Sequence, residues 1–209
     1  PIHYLGYWLP NSEETFKYGF MDPKEKKVFS QDGTDGVLEF IFSDDVLKTT
    51  NKCYVGLGTG DGSECNSKNL RVNHGWTGLM IDGAYENTEI NLQKHFITKE
   101  NILQLFEKYK INKNLDLLSI DLDGNDFYIL NEILKNYSPR VIVAEYTGPG
   151  DRTIEYDPEF AWDHKSDWMG MGFSTLYKLG RHHGYSLVYS AGFGENAFFI
   201  RDDELTENI

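Results

Sequence analysis

Two groups of residues in this chain have the types and spacing to do chemistry. The first is a glycine series, Gly56, Gly58, Gly60 and Gly62, that closes a short apolar run beginning at Cys53. A second apolar run, Trp76 to Ile81, ends in Asp82. Glycine lets a backbone turn tightly and approach a ligand with no Cβ in the way. A carboxylate at the end of the following strand can accept both hydroxyl hydrogens of a ribose. Together they describe a site for a nucleotide-type cofactor. The second group is acidic: Asp121, Asp123 and Asp126, with Glu145 further on. Carboxylates gathered in one place repel unless a cation, a donor-rich ligand or a proton relieves them. Asp121, Asp123 and Asp126 with Glu145 therefore suggest either a hard divalent cation or a shared base, Asp121, Asp123 and Asp126 being the catalytic candidates and Asp123 or Asp126 the acceptor of a substrate hydroxyl's proton. The structural alternative is that Asp123 or Asp126 caps the following helix.

Glycine spacing selects among cofactors. A dinucleotide site reads G-x-G-x-x-G, whereas Gly58, Gly60 and Gly62 read G-x-G-x-G. That form resembles the first motif of class I S-adenosylmethionine (SAM) methyltransferases. The run Asp121-Leu-Asp123-Gly124 fits two other chemistries as well. One is the D-x-D-G of haloacid-dehalogenase-type phosphatases, with the first Asp as nucleophile. The other is the D-x-D of metal-dependent glycosyltransferases. Neither has a use for the glycine loop.

The elements that must position these residues alternate along the chain. Asp35 to Phe42 carries a helical apolar stripe at 37, 38, 41 and 42. Strands are expected at Cys53–Leu57, Gly78–Ile81, weakly near Lys94–Ile97, at Leu115–Ile120 and at Arg140–Ala144. Helices are expected around Glu64–Asn73, from a Thr98 cap to about Lys110, over Phe127–Asn136 and over Ser174–His183. Tyr185–Tyr189 and Asn196–Arg201 close the chain as strands joined by a link too short for a parallel crossover, so they should pair antiparallel. The expected fold is α/β: a mostly parallel, Rossmann-like sheet with one antiparallel strand near the C-terminus and helices on both faces. In such sheets ligands bind at the carboxyl ends of the strands, where both chemical groups fall.

Bulk properties narrow the partners. The chain has 209 residues, 40% of them hydrophobic, enough for one domain with a substantial core. Residues 1–30 read as a lead-in packed on a domain spanning 31–209. A net charge of −13 argues against nucleic acid and against an anionic membrane surface. No apolar run approaches a membrane span and no signal peptide is visible, so the expected setting is cytoplasmic. Cys53 and Cys65 form neither a zinc spacing nor a disulfide framework. The polar and aromatic stretch 147–169 is expected to wall the substrate site through Tyr156, Trp162 and Trp168, with Tyr146 just before it. Aromatic rings beside carboxylates suit a sugar, and packing onto the domain is the alternative. His182 and His183 read either as bases or as surface residues at a helix end.

Several segments together resemble the FkbM-like branch of class I SAM-dependent methyltransferases. They are Ser30-Gln31 with Asp35-Gly36, Gly58-Thr-Gly-Asp-Gly62, Gly75-Trp through Asp82-Gly83, and Leu118-Ser-Ile-Asp121-Leu-Asp123-Gly124-Asn125-Asp126. Pro139-Arg through Glu145-Tyr146, Tyr156-Asp157-Pro158 and Asn196 to Arg201 complete the set. The resemblance covers roughly residues 28–203. It implies SAM held by Gly58, Thr59, Gly60, Asp61, Gly62, Asp82 and Gly83, with Gln31 and Asp35 closing over its methionine end. It implies O-methylation of a sugar or related small molecule in polysaccharide or natural-product biosynthesis, and Asp121, Asp123 and Glu145 as ligands if Mg²⁺ or another divalent cation assists. One position departs from the pattern: the acid that usually holds the cofactor's amino group, two before Gly58, is Gly56 here. A metal-dependent sugar-phosphate or nucleotide-sugar enzyme, and a non-catalytic domain that kept the fold, are the alternatives.

Overall fold

The computed structural model describes residues 24–31, 33–160, 170–190 and 196–205. Its strands are β1 (Cys53–Leu57), β2 (Thr77–Asp82), β3 (Leu92–Lys94), β4 (Leu117–Ile120), β5 (Val141–Glu145), β6 (Tyr185–Ser190) and β7 (Asn196–Arg201). The helices are α1 (Thr34–Ile41), α2 (Lys68–Asn73), α3 (Ile102–Lys108), α4 (Asp126–Leu134) and α5 (Phe173–His182). The strands form one sheet in the order β3-β2-β1-β4-β5-β7-β6. Neighbours from β3 to β5 are parallel. β7 runs against both β5 and β6, so it is the single reversed strand, inserted between them. This order with this one reversal is the class I methyltransferase architecture that the alternation of elements predicts.

Period two in the strands explains the helices on both faces. Val55, Leu57, Leu79, Ile81, Leu118, Ile120, Ile142 and Ala144 point to one side, where they pack with Ile102 and Phe106 of α3, Ile129 and Ile133 of α4, and Leu176 of α5. Tyr54, Met80, Leu117, Val141 and Val143 point to the other, against Val37, Leu38 and Ile41 of α1 and Leu70 of α2. With both faces covered, the central strands read as unbroken apolar runs, which is why β4 is LLSI and β5 begins VIVA. Each fully buried Leu or Ile in these layers contributes about 1.5–3 kcal/mol.

Several expected elements move. The helix expected from a Thr98 cap starts at Ile102, with Asn101 as its N-cap. The helix expected from Glu64 starts only at Lys68, because residues 61–67 are used as turns beside the glycine loop. The third strand lies at Leu92–Lys94, ahead of the expected 94–97, where buried Leu92 pairs with Met80.

At the amino ends of the strands, a buried ion pair ties the sheet to the segment before β1. The Asp116 carboxylate accepts from Arg140 Nη1 at 2.9 Å and from the N–H groups of Thr50, Asn51 and Lys52. Arg140 also reaches Glu204, just beyond β7. Residues 24–31 lie against the domain, with hydrogen bonds between Lys26 and Gly33 and Gly36, and between Tyr189 and Glu25. No helix among the described residues is long and apolar enough to cross a membrane.

Candidate functional site

The carboxyl ends of β1, β2, β4 and β5 surround two adjoining cavities. The larger, about 580 Å³, is walled by the glycine loop, Gln31, the 63–66 turn, Tyr85 and the acids Asp121, Asp123 and Glu145. The smaller, about 290 Å³, lies between Asp82-Gly83, Phe96-Ile97, Leu122, Ile129 and Phe160. Gly58, Gly60, Asp121 and Asp123 line both, so the two spaces meet at the glycine loop.

The loop is glycine for steric reasons that can be read atom by atom. Gly58 has φ +72°, and a Cβ there would sit 1.7 Å from the carbonyl oxygen of Asp121. Its N–H donates to Ile81 O, while Asp121 N–H donates to Leu57 O, so β1, β2 and β4 end in register. Gly60 N–H donates to Asp82 Oδ2 at 2.8 Å, and Ala84 and Tyr85 N–H groups donate to Asp82 Oδ1. Asp82 is thus oriented before any ligand arrives, with lone pairs left to accept hydroxyl hydrogens. Thr59 and Asp61 stand on the wall of the larger cleft. Asp61 accepts from Ser63, which holds its pKa below the usual value. Gly62 is one step back: its N–H donates to Thr59 O, and it packs below the loop against Ile90 and Met80, where it forms no part of either wall.

Three carboxylates converge on the far side. Asp121 follows β4, Asp123 sits in the left-handed region at φ +53°, and Glu145 ends β5. One oxygen from each lies within 4.8 Å of the others. Burial pushes the Glu145 carboxyl well above the usual range, and the charge of Asp121 and a hydrogen bond to it push the same way. Of the three, Glu145 is the carboxyl that its surroundings dispose to keep its proton. Below them Asn66 Nδ2 donates to Ser119 Oγ and Asn196 Oδ1, giving the larger cleft a polar floor.

Several expected site residues lie elsewhere. Asp126 is not a free base: it is buried, its Oδ1 accepts from Leu122 N–H and its Oδ2 from Gly124 N–H, and its role is to shape the turn that carries Asp123. Asp35 is 1% exposed, and its Oδ2 accepts from the N–H groups of Val28, Phe29 and Ser30. It builds the turn that presents Gln31 and does not reach the cleft. Tyr146 is buried, packed on Phe173 and hydrogen-bonded to Ser190. Tyr156 is outside the cleft, hydrogen-bonded to Glu100 with Lys99 over its ring. His182 and His183 end α5 at the pole opposite the site, because α5 runs back against the parallel strands; His183 bonds Asn131 there. Trp162 and Trp168 lie outside the described residues. Phe96, Ile97, Leu122, Phe160, Asn66, Ser119 and Asn196 were not anticipated. Ser119, the one polar residue inside an apolar strand, was the legible signal among them.

The Gly56 departure also has a structural reading. A Cβ at Gly56 would meet the Thr59 methyl group at 2.7 Å, so Thr59 occupies the start of the path an acidic side chain would take.

No family model matches the chain, and none of the curated proteins does. Among solved structures it is similar to the pyocyanin biosynthetic protein PhzM, at 14% identity over 79% of this chain and 55% of that one, with a TM-score of 0.43. It is similar to magnesium protoporphyrin IX methyltransferase from Synechocystis PCC 6803 with bound S-adenosylhomocysteine (SAH), at 9% identity, 80% and 81% coverage and a TM-score of 0.44. Human N-acetylserotonin methyltransferase in complex with SAM matches at 12% identity, 78% and 52% coverage and a TM-score of 0.41. The chain spans about half the length of the first and third of these. It is the strand order and its single reversal, rather than these distant likenesses, that identify the architecture as that of class I methyltransferases.

Proposed function

We propose that the chain is a SAM-dependent methyltransferase that acts on a hydroxyl of a sugar or a related small molecule. One observation carries this reading. A pocket with a ribose-ready acid and apolar walls opens, across a glycine loop, into a larger cleft lined by carboxylates. The smaller pocket suits an adenosine, its base among Phe96, Ile97, Leu122 and Ile129 and its ribose at Asp82. The methionine end would then cross Gly58 and Gly60 toward Thr59, Asp61 and Gln31. Bound SAM would supply an electrophilic methyl group on a sulfonium.

The chain's own residues would position the acceptor and take its proton. In-line displacement depends mostly on holding the two partners in line, which the shared wall at Asp121 and Asp123 favours. Asp121, which lines both cavities, is the group best placed to accept the hydroxyl proton, with Asp123 next to it and Glu145 disposed to keep its own. The three-oxygen set also fits a hard cation such as Mg²⁺, which would orient the hydroxyl and lower its pKa. Gly56 is what favours the non-catalytic reading.

Calorimetric titration with SAM, with and without Mg²⁺, tests the proposal. Micromolar binding weakened by Asp82→Ala is expected. No binding in either condition would sink it.

A further inference from the structure

The run Gly124-Asn125 is the part of the acidic motif for which the chemistry above has no use. In the fold it is a docking seat. The Phe160 ring lies where a Cβ on Gly124 would be, 2.4 Å from that point. Asn125 Nδ2 donates to Asp157 O at 2.6 Å, Tyr128 OH donates to Ile154 O at 3.0 Å, and Phe160 N–H donates to Asp157 O. The chain that leaves β5 is therefore strapped onto the β4–α4 turn, and the strap's last described side chain, Phe160, forms a wall of the 290 Å³ pocket. A second aromatic ring, Phe96, lines the same pocket, 3.7 Å from a Cβ on Gly83, and is 49% exposed. Two rings, each resting against a glycine, thus border a cavity that also holds Asp82.

We propose that Phe160 is a positioning residue for the adenosine part of the cofactor, and that Gly124 is glycine in order to seat it. This rests on the cofactor reading above. The ring face gives a planar base a stacking partner. Because Phe160 belongs to the strap, occupancy of the pocket and seating of the strap are linked, each favouring the other by the same factor.

Calorimetric titration of the wild type and variants with SAH and with methylthioadenosine, which lacks the amino-acid end, separates the possibilities. Phe160→Ala should weaken both probes equally, by roughly tenfold, the size of one lost base–aromatic stack, while Phe160→Trp should restore most of the affinity. Gly124 does not lie in the left-handed region, so Gly124→Ala is strained only by the ring. It should reproduce the loss alone, yet add nothing in the Phe160→Ala background, where the methyl group has room. The cycle remains readable if one variant is less stable, because melting temperature is recorded alongside affinity. Unchanged affinity in Phe160→Ala, loss toward SAH but not methylthioadenosine, or full additivity of the two substitutions would overturn the inference while leaving the cofactor reading intact. Absence of binding to the wild type would overturn both.

Discussion

Gly60 N–H donates to the Asp82 carboxylate at 2.8 Å, so the glycine loop and the acid that ends β2 hold each other in place. Asp82→Asn removes the charge that hydroxyl donors would meet and turns an NH2 toward either Gly60 N–H or those of Ala84 and Tyr85. A hydrogen bond to a charged group is worth about 1.5–3 kcal/mol. SAH affinity should therefore fall between roughly tenfold and a hundredfold by calorimetry. Wild-type affinity in this variant would mean that the ribose does not sit at Asp82.

The glycines of the loop should differ sharply from one another. Gly58 meets Asp121 O at 1.7 Å if given a Cβ, whereas Gly60, also at positive φ, meets nothing within 4 Å. Gly58→Ala combines a backbone clash with left-handed strain and should cost about 2–4 kcal/mol. Gly60→Ala should cost only about 1–2 kcal/mol, the left-handed strain alone. Urea denaturation of the two variants checks this, and equal midpoints would contradict it.

Glu145→Gln places a neutral group beside Asp121, whereas Asp121→Asn removes the proposed proton acceptor. Once an acceptor substrate is in hand, Asp121→Asn should lower kcat by about 10²–10⁴-fold with little change in KM for SAM, and Glu145→Gln should do much less. The cation reading has its own readout. Millimolar Mg²⁺ or Mn²⁺ should raise the melting temperature of the wild type and not that of Asp123→Asn. Equal shifts in both proteins would remove the three carboxylates as ligands.

Asp116 gives a pH dependence that is separate from the site. Burial alone would raise its pKa, but Arg140, Thr50 and the N–H groups of Asn51 and Lys52 outweigh burial and hold it below the usual value. A depressed folded-state value means the folded protein prefers the ionised form. The stabilisation is then complete above the unfolded value, about 3.9, and is lost as pH falls through the lower, folded one. Asp116→Asn leaves Arg140 buried with one of its two carboxylate partners and should cost about 3 kcal/mol near neutral pH. The gap between variant and wild type should narrow below about pH 4. A gap that stays constant down to pH 3 would contradict the assignment.

How much of this was legible beforehand follows the range of the interactions. The strands Cys53–Leu57 and Asn196–Arg201 and the reversed pairing at the end are local patterns, and they are where the sequence places them. The placement of Asp82, Gly58, Gly60 and the trio Asp121, Asp123, Glu145 around one pair of cavities was also readable, because strand ends in a parallel sheet share one rim. What was not readable depends on side-chain direction. Asp35 and Asp126 are acids in the right segments that turn inward to their own loops. Tyr156 faces outward because Lys99 and Glu100, from a distant segment, claim it. Phe160 reaches the smaller cavity only because Gly124, 36 positions earlier, leaves room for it.

The insertion of β7 between β5 and β6 has a consequence for synthesis. Until residues 196–201 have left the ribosome, Tyr185–Ser190 has no neighbour and β5 has a bare edge. Arg140 likewise waits for Glu204. The sheet cannot be finished in the order in which it is made, so vectorial folding from the amino end must stall with a sticky edge open to solvent. Nascent chains arrested with residue 190 just outside the exit tunnel should be cut readily by protease, while chains extended past 205 should resist. A sheet built this way depends on being kept apart from its neighbours until residues 196–205 have emerged.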